Sequence, residues 1–491
     1  MSSLPWHRPE LRAHRISLAV GIVLFVSAAL WVLGLPGVSL LPAWFYQPLG
    51  PRALDPSGWV LVGLAVPGLG YAAFRSAKAG RTGRALVLLL ATSLAAQTMV
   101  LALDRGTLIY RLEQGHGEFF RIAHERRGAY LETMRDYEAL SEAGTLGGFA
   151  PSKPPGTLSF YMLVDALGDL TPIRILSGPI VSELEMRPLL SSRAEGAAAG
   201  ALLLPFLTAL ALIPLFFVAR RLGGSPEDGV AAGMVFLTAP GMLLINYHAD
   251  GALFPLLTML VVALAVHACR QVGRTQQRMW LVGAGLALAL GIWCNFSTLP
   301  LVGFLGVLFF VLRAEAGASP KEALWRSVVD LLIVSVAAFA LLALFAAVGL
   351  FSHPIDRFFA ALEHHRRWKS DAIGGVFGLV GAIEYWLWAG LPLLVVSLFG
   401  FGGAVRRLIS WTPRPGDGVV LAVFVVHIVM AVFTGCVEAA RLWLWVTPLF
   451  ALAASRFLRA EGPTGAPEQL WVQLAGSQLV LTVLMRFCQP W

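Results

Sequence analysis

The chain has 491 residues, of which 57% are hydrophobic and only 13% charged, and its mean hydropathy is +0.72. An ordinary water-soluble domain carries roughly 25% charged residues, so the composition excludes one and indicates an all-α polytopic membrane protein. The net charge of +8 fits the Lys/Arg excess that holds loops on the cytoplasmic side and calls for no nucleic-acid partner.

The first segment is a short basic tail (His7, Arg8, Arg12, Arg15) followed by an apolar run from Ile16 to about Leu35. That run is too long for a removed signal peptide and lacks a small-residue cleavage site, so it reads as a signal anchor. Apolar runs at 58–74 and 85–103 enclose a basic loop (Arg75, Lys78, Arg81, Arg84), expected on the cytoplasmic side.

From Asp104 to about Glu195 runs the longest stretch charged enough to lie in water. Loops of this length usually carry function, and ionisable residues held against a bilayer are costly enough to be working residues. Phe119, Ile122 and Ala123 share one helical face, and Tyr130, Met134 and Tyr137 another. Such short amphipathic segments are expected along the membrane surface with their charged sides outward. His116, Glu118, Arg121, Glu125, Glu132 and Asp136 then line a platform above the lipid. Each carboxylate also has a plainer reading, a pairing with Arg126, Arg127 or Arg135. The platform closes on Lys153-Pro154-Pro155-Gly156, where the prolines impose an extended bend and Gly156 is expected to permit a sharp turn. Lys153 is thereby held where an ammonium can meet a phosphate, although Pro-Pro-Gly also serves simply to re-enter a membrane.

Downstream, apolar runs lie near 197–219, 229–247, 251–269, 279–297, 299–312, 327–350, 383–404, 418–436, 441–457 and 469–487. The expectation is therefore about 13 transmembrane helices. With the N-terminus cytoplasmic, the inside loops collect roughly 20 of the basic residues, while the short outside loops at 38–56, 247–251 and 434–441 hold only Arg52 and Arg441. The alternation places 104–195 outside, together with a second loop at 351–382 that carries His364-His365-Arg366-Arg367. A headgroup-binding collar is the plain reading of that run, and no partner at ligand spacing supports zinc there. Cys269, Cys294, Cys436 and Cys488 show no CxxC spacing, which argues against a disulfide framework and a thiolate metal site.

Several features recur in a fixed order. They are the acidic loop closing on Lys153-Pro154-Pro155-Gly156, an inside-facing Arg220-Arg221-Leu222-Gly223, an external Asp250, and Glu438 to Pro448 with Arg441, Trp443 and Trp445 at a late outer edge. In that order, over about 85–457, the chain resembles the GT-C superfamily of integral membrane glycosyltransferases, which includes protein mannosyltransferases and lipid A aminoarabinose transferases. The resemblance implies a polyprenyl-phosphate-linked sugar as donor and a glycan, lipid or protein as acceptor. It also implies chemistry on the outer face, which suits a bacterial inner membrane. By position, Glu118 is similar to the superfamily's first acidic loop residue, at or near the general base, and Asp250 to its second. The usual Asp-Glu pair is absent, since Gly117 precedes Glu118, so Asp136 and Asp104 stay open for the role. The superfamily places this loop after its first span and this chain after its third. Residues 1–84 then read as a tail and added hairpin, 85–457 as the catalytic core, and 458–491 as a last helix.

Sugar transfer from a lipid phosphate needs a carboxylate to take the acceptor proton and cations for the departing phosphate. Lys153, Arg441, His365 and Arg366 are the candidate cations. Glu438, one turn before Arg441, either belongs to the donor site or merely pairs with that arginine. Trp386, Trp388, Trp443 and Trp445 are expected mainly in the interfacial belt. No metal ligand set is assigned, but some members of the superfamily need a divalent cation, for which Glu118, Asp136 and Asp250 are the oxygen ligands in question. Two other classes remain open. A lipid-linked glycan transporter or flippase should show mid-span polar residues, which are few here (Gln97, His267, Asp330, His427). The other is a polymer ligase or polymerase of the cell envelope.

Overall fold

The computed structural model describes residues 9–32, 56–102, 109, 111–113, 117–222, 224–245, 247–271, 273–370, 377–414, 416–433, 439–461 and 467–488. Among these the only regular structure is helical. Three helices precede the long charged loop: α1 (Pro9–Val32), α2 (Pro56–Lys78) and α3 (Thr82–Ala102). The loop itself contains α4 (Glu118–Glu125), α5 (Tyr130–Arg135), α6 (Tyr137–Glu142), α7 (Pro155–Gly168) and α8 (Thr171–Glu185). The bundle continues with α9 (Ala194–Leu210), α10 (Leu212–Arg221), α11 (Pro226–Leu237), α12 (Pro240–Leu244), α13 (Ala249–Cys269), α14 (Arg274–Cys294), α15 (Leu301–Glu315) and α16 (Pro320–Ala347). After the second charged segment, α17 (Pro354–Ser370), come α18 (Phe377–Ala389), α19 (Leu391–Ile409), α20 (Asp417–Phe433), the single turn α21 (Ala439–Leu442), α22 (Thr447–Glu461) and α23 (Pro467–Cys488).

Among the described residues six stretches are long and apolar enough to cross a membrane: 191–221, which joins α9 and α10, then α13, α14, 296–315, α16 and α19. Four shorter apolar helices cover 14–30, 417–432, 444–458 and 470–486. The other expected runs are helical too, but two of them are broken. Pro240 pushes Ala239 to an extended ψ of 129° and separates α11 from α12, and Gly390, at φ 100°, separates α18 from α19. The chain is an all-α polytopic integral membrane protein, whose backbone groups are satisfied within its helices as a bilayer demands. α16 shows the lipid-facing side most plainly, with Leu332, Val336 and Phe339 all at least 59% exposed.

The apolar faces of α4 to α6 are covered by protein and not by lipid. Phe119, Phe120, Ile122, Met134 and Tyr137 turn inward onto Tyr161 of α7 and onto Ala197, Ala198 and Ala199 of α9, forming an apolar core of their own. Each ring so buried contributes about 1.5–3 kcal/mol. Small residues on α9 make this approach feasible, since a Cβ at Gly200 would lie 2.2 Å from the Phe120 ring. Gly156 serves the same purpose instead of making the sharp turn expected of it. It sits inside the first turn of α7, where a Cβ would lie 2.3 Å from the Trp293 carbonyl oxygen at the end of α14.

Candidate active site

Asp250 lies in the first turn of α13 and is fully buried. Tyr247 takes a left-handed φ of 64°, a conformation uncommon outside glycine. His248 then runs extended into the helix, so the carboxylate starts at the helix N-terminus, where the dipole favours negative charge. The Ala249 N–H donates to the Tyr161 hydroxyl at 3.3 Å. Tyr161 is itself held by the rings of Phe119 and Phe120, at centroid distances of 5.4 and 4.8 Å.

Two cations meet this carboxylate. Lys153 Nζ stands 3.2 Å from Oδ1, and Arg441 Nε stands 3.3 Å from Oδ2. Lys153 is 2% exposed, because Pro154 and Pro155 end the loop at an extended residue and start α7 directly behind it. The Arg441 guanidinium also lies over the Phe149 ring, 5.8 Å from its centroid, a cation–π contact.

The segment 147–153 joins this cluster to Glu118. Gly148 N–H donates to Glu118 Oε2 at 3.1 Å, and Arg121 pairs with the other oxygen at 3.3 Å. Gly147 must be glycine here, since it has a φ of 73° and a Cβ would fall within 2.5 Å of the Glu118 carboxylate. The Glu118 side chain remains 29% exposed. Glu118 and Lys153 thus meet the two ends of this segment, one accessible and the other buried.

The second charged segment, α17, is bolted to the same stretch of chain. Arg357 of α17, buried beneath the loop, donates to the Pro151 carbonyl and pairs with Glu138 at 2.9 Å. Tyr137 shares its hydroxyl proton between the carbonyls of Ala150 and Lys153, each at 3.2 Å. Burial raises the Glu138 carboxyl above its ordinary value, with Arg357 pulling against that shift.

The structure gathers Lys153, Asp250 and Arg441 directly and ties Glu118 to their supporting turn. Asp136 stands apart, exposed between α5 and α6. Glu125 is paired, but with Arg121 at 2.8 Å and not with Arg126, Arg127 or Arg135, while Arg127 reaches Asp165 and Asp169 of α7. Asp104, His116 and Glu438 lie outside the described residues, as do the side chains of His365 and Arg366 on α17. Trp386, Trp388, Trp443 and Trp445 are buried rather than lipid-facing. Trp386 and Trp443 pack with Tyr385 around His427. Tyr161, Phe149 and Arg357 were not anticipated, since Tyr161 sits in an apolar run and Arg357 in a charged one, with nothing in either to mark its contact.

Among the described residues no three of His, Cys, Asp and Glu come together as a metal site. Asp250 faces two cations and Glu118 an arginine.

No family model and no curated protein matches the chain. Among solved structures it is similar to an archaeal oligosaccharyltransferase. The Archaeoglobus fulgidus enzyme in complex with zinc and sulfate aligns at 14% identity over 64% of this chain and 44% of that one, with a TM-score of 0.38. The same enzyme tethered to an acceptor peptide containing the NVT sequon aligns at 12% identity over 68% and 47%, with a TM-score of 0.39. The oligosaccharyltransferase AglB from Archaeoglobus fulgidus in complex with an inhibitory peptide and a dolichol-phosphate aligns at 12% identity over 63% and 47%, with a TM-score of 0.37. The chain spans less than half the length of these structures.

Proposed function

We propose that the chain is a membrane glycosyltransferase of the GT-C kind, moving a sugar from a polyprenyl-phosphate donor to an acceptor on the extracytoplasmic face of a bacterial inner membrane. The observation that carries this reading is the convergence of Lys153 and Arg441 on Asp250, beside the turn that holds Glu118. Three buried charges are a poor device for stability alone, because apolar residues of similar volume usually serve as well or better. They are a good device for fixing two cations at one place.

In the proposed reaction the acceptor oxygen attacks the anomeric carbon and the bond from that carbon to the phosphate oxygen breaks. Polyprenyl phosphate leaves, with the acceptor proton passing to Glu118. Lys153 and Arg441 stabilise the charge that grows on the departing phosphate, and Asp250 positions both. His365, Arg366 and Glu438 are further candidates for contact with the donor phosphate, and Asp136 is the alternative base. One base and one leaving group imply a single displacement with inversion.

The test compares Glu118→Gln with Asp136→Asn in purified protein supplied with polyprenyl-phosphate mannose or aminoarabinose. Glu118→Gln should lower turnover about 10²–10⁴-fold with donor binding little changed. Loss in Asp136→Asn alone would move the base there. Full activity in both would remove the enzymatic role from this loop.

A further inference from the structure

At the opposite end of the bundle from Asp250, a cavity of about 400 Å³ opens between α14, α15 and α16. α14 connects the two ends. Its last turn receives a hydrogen bond from the Thr157 hydroxyl, just behind Lys153, and its first residue, Arg274, lines the cavity, about 30 Å away at 1.5 Å per residue.

Arg274, Gln277 and Arg278 occupy one face of α14 at i, i+3 and i+4, while Arg313 comes from the last turn of α15 and Arg326 from α16. Asp330 of α16 is the one carboxylate in the lining, and it is already engaged. Its oxygens accept from Gln277 Nε2 at 2.9 Å and from Arg313 Nη2 at 2.5 Å, which ties the three helices together. Arg326 pairs with the exposed Glu322 outside. Among the described residues Arg274 and Arg278 have no acidic partner, and Arg313 Nε is buried without a hydrogen bond.

We propose that this cavity binds the phosphate-bearing headgroup of an anionic phospholipid. The charge asks for a phosphate, and guanidinium forks suit its oxygens better than ammonium groups do. The surroundings ask for a lipid. From the cavity Met279, Val282 and Leu286 run outward along α14, and Leu332, Val336 and Phe339 along α16, all exposed. These two apolar strips lead into the bilayer, where acyl chains would lie. Trp325, 68% exposed at the cavity rim, is of the type that anchors at the headgroup level, and basic pockets between membrane helices are fitted to such headgroups. The inference stands apart from the reading of Asp250.

The test is titration of the purified protein with phosphatidylglycerol against a phosphatidylcholine background, followed by native mass spectrometry. Arg274→Ala with Arg278→Ala should weaken retention about 30-fold, or about 5-fold for each arginine, with thermal unfolding in phosphatidylcholine unchanged. Arg81→Ala with Arg84→Ala, exposed positions just before and within the first turn of α3, should leave retention intact. The Arg274→Lys and Arg278→Lys pair keeps charge and should lose a smaller factor, and it carries the test if the alanine pair does not fold. Inorganic phosphate and glycerol 3-phosphate should not displace the lipid. Equal retention in wild type and both cavity variants, equal loss in the Arg81/Arg84 control, or displacement by soluble phosphate would each overturn the proposal.

Discussion

Asp250→Asn removes one charge and almost no volume from the buried cluster. In the wild type the carboxylate has a cation at 3.2 Å on one oxygen and at 3.3 Å on the other. After the change, Lys153 and Arg441 face a neutral amide where little water can compensate. Breaking a buried pair in this way costs about 3–5 kcal/mol, and Lys153→Met, which strips Asp250 of one partner, should cost a similar amount. Because the two residues act on each other, the double variant should fall short of the sum of the singles by about 0.5–3 kcal/mol. Unfolding of the detergent-solubilised protein by denaturant gives the three stabilities, and turnover of lipid donor is measured on whatever remains folded. The expected result is a loss of stability in the double variant smaller than the sum of the two singles, with no recovery of turnover. Additive losses would show that the pair is not coupled. Turnover returning with stability would show that the cluster only holds the fold.

Arg441→Ala also strips Asp250 of a partner, and it should raise the KM for the polyprenyl-phosphate donor in the protein that stays folded; an unchanged KM in that fraction would make this arginine a structural partner only. A single cysteine introduced at Glu132, which is exposed, should react with a membrane-impermeant maleimide from the external side of intact cells, and labelling only after lysis would reverse the topology. For Glu138 the folded protein raises the carboxyl pKa, mainly through burial. The stability this group contributes is therefore fully present below its unfolded pKa and lost as pH rises through the folded one. Glu138→Gln, fixed in the uncharged form, should gain stability relative to wild type as pH climbs from about 4 towards neutrality, and a constant difference across that range would refute the assignment.

The helices were legible in the sequence because a bilayer sets their length and apolarity. The breaks at Ala239 and Gly390 were not, since single prolines and glycines also occur within unbroken spans, as Pro255 does inside α13. The apolar faces of α4 to α6 were read correctly as faces but assigned to lipid. An amphipathic stripe looks the same whether it meets a membrane or a neighbouring helix, and α7, which receives it, begins behind two prolines that read as a loop. Lys153, Asp250 and Arg441 were each visible by chemistry and order along the chain. Their contact was not, because Lys153 and Asp250 are 97 residues apart and nothing local encodes that distance. The support given by Tyr161, Phe149 and Arg357 was hidden for the same reason.

The most direct measurement incubates purified protein in detergent with sugar-labelled polyprenyl-phosphate mannose or aminoarabinose and a cell-envelope extract as acceptor, and follows both label and lipid. The account predicts label in the acceptor fraction, an equal amount of polyprenyl phosphate released, and loss of both in Glu118→Gln and Arg441→Ala. Donor that binds or crosses the membrane intact, with no polyprenyl phosphate released from any of the donors, would contradict it.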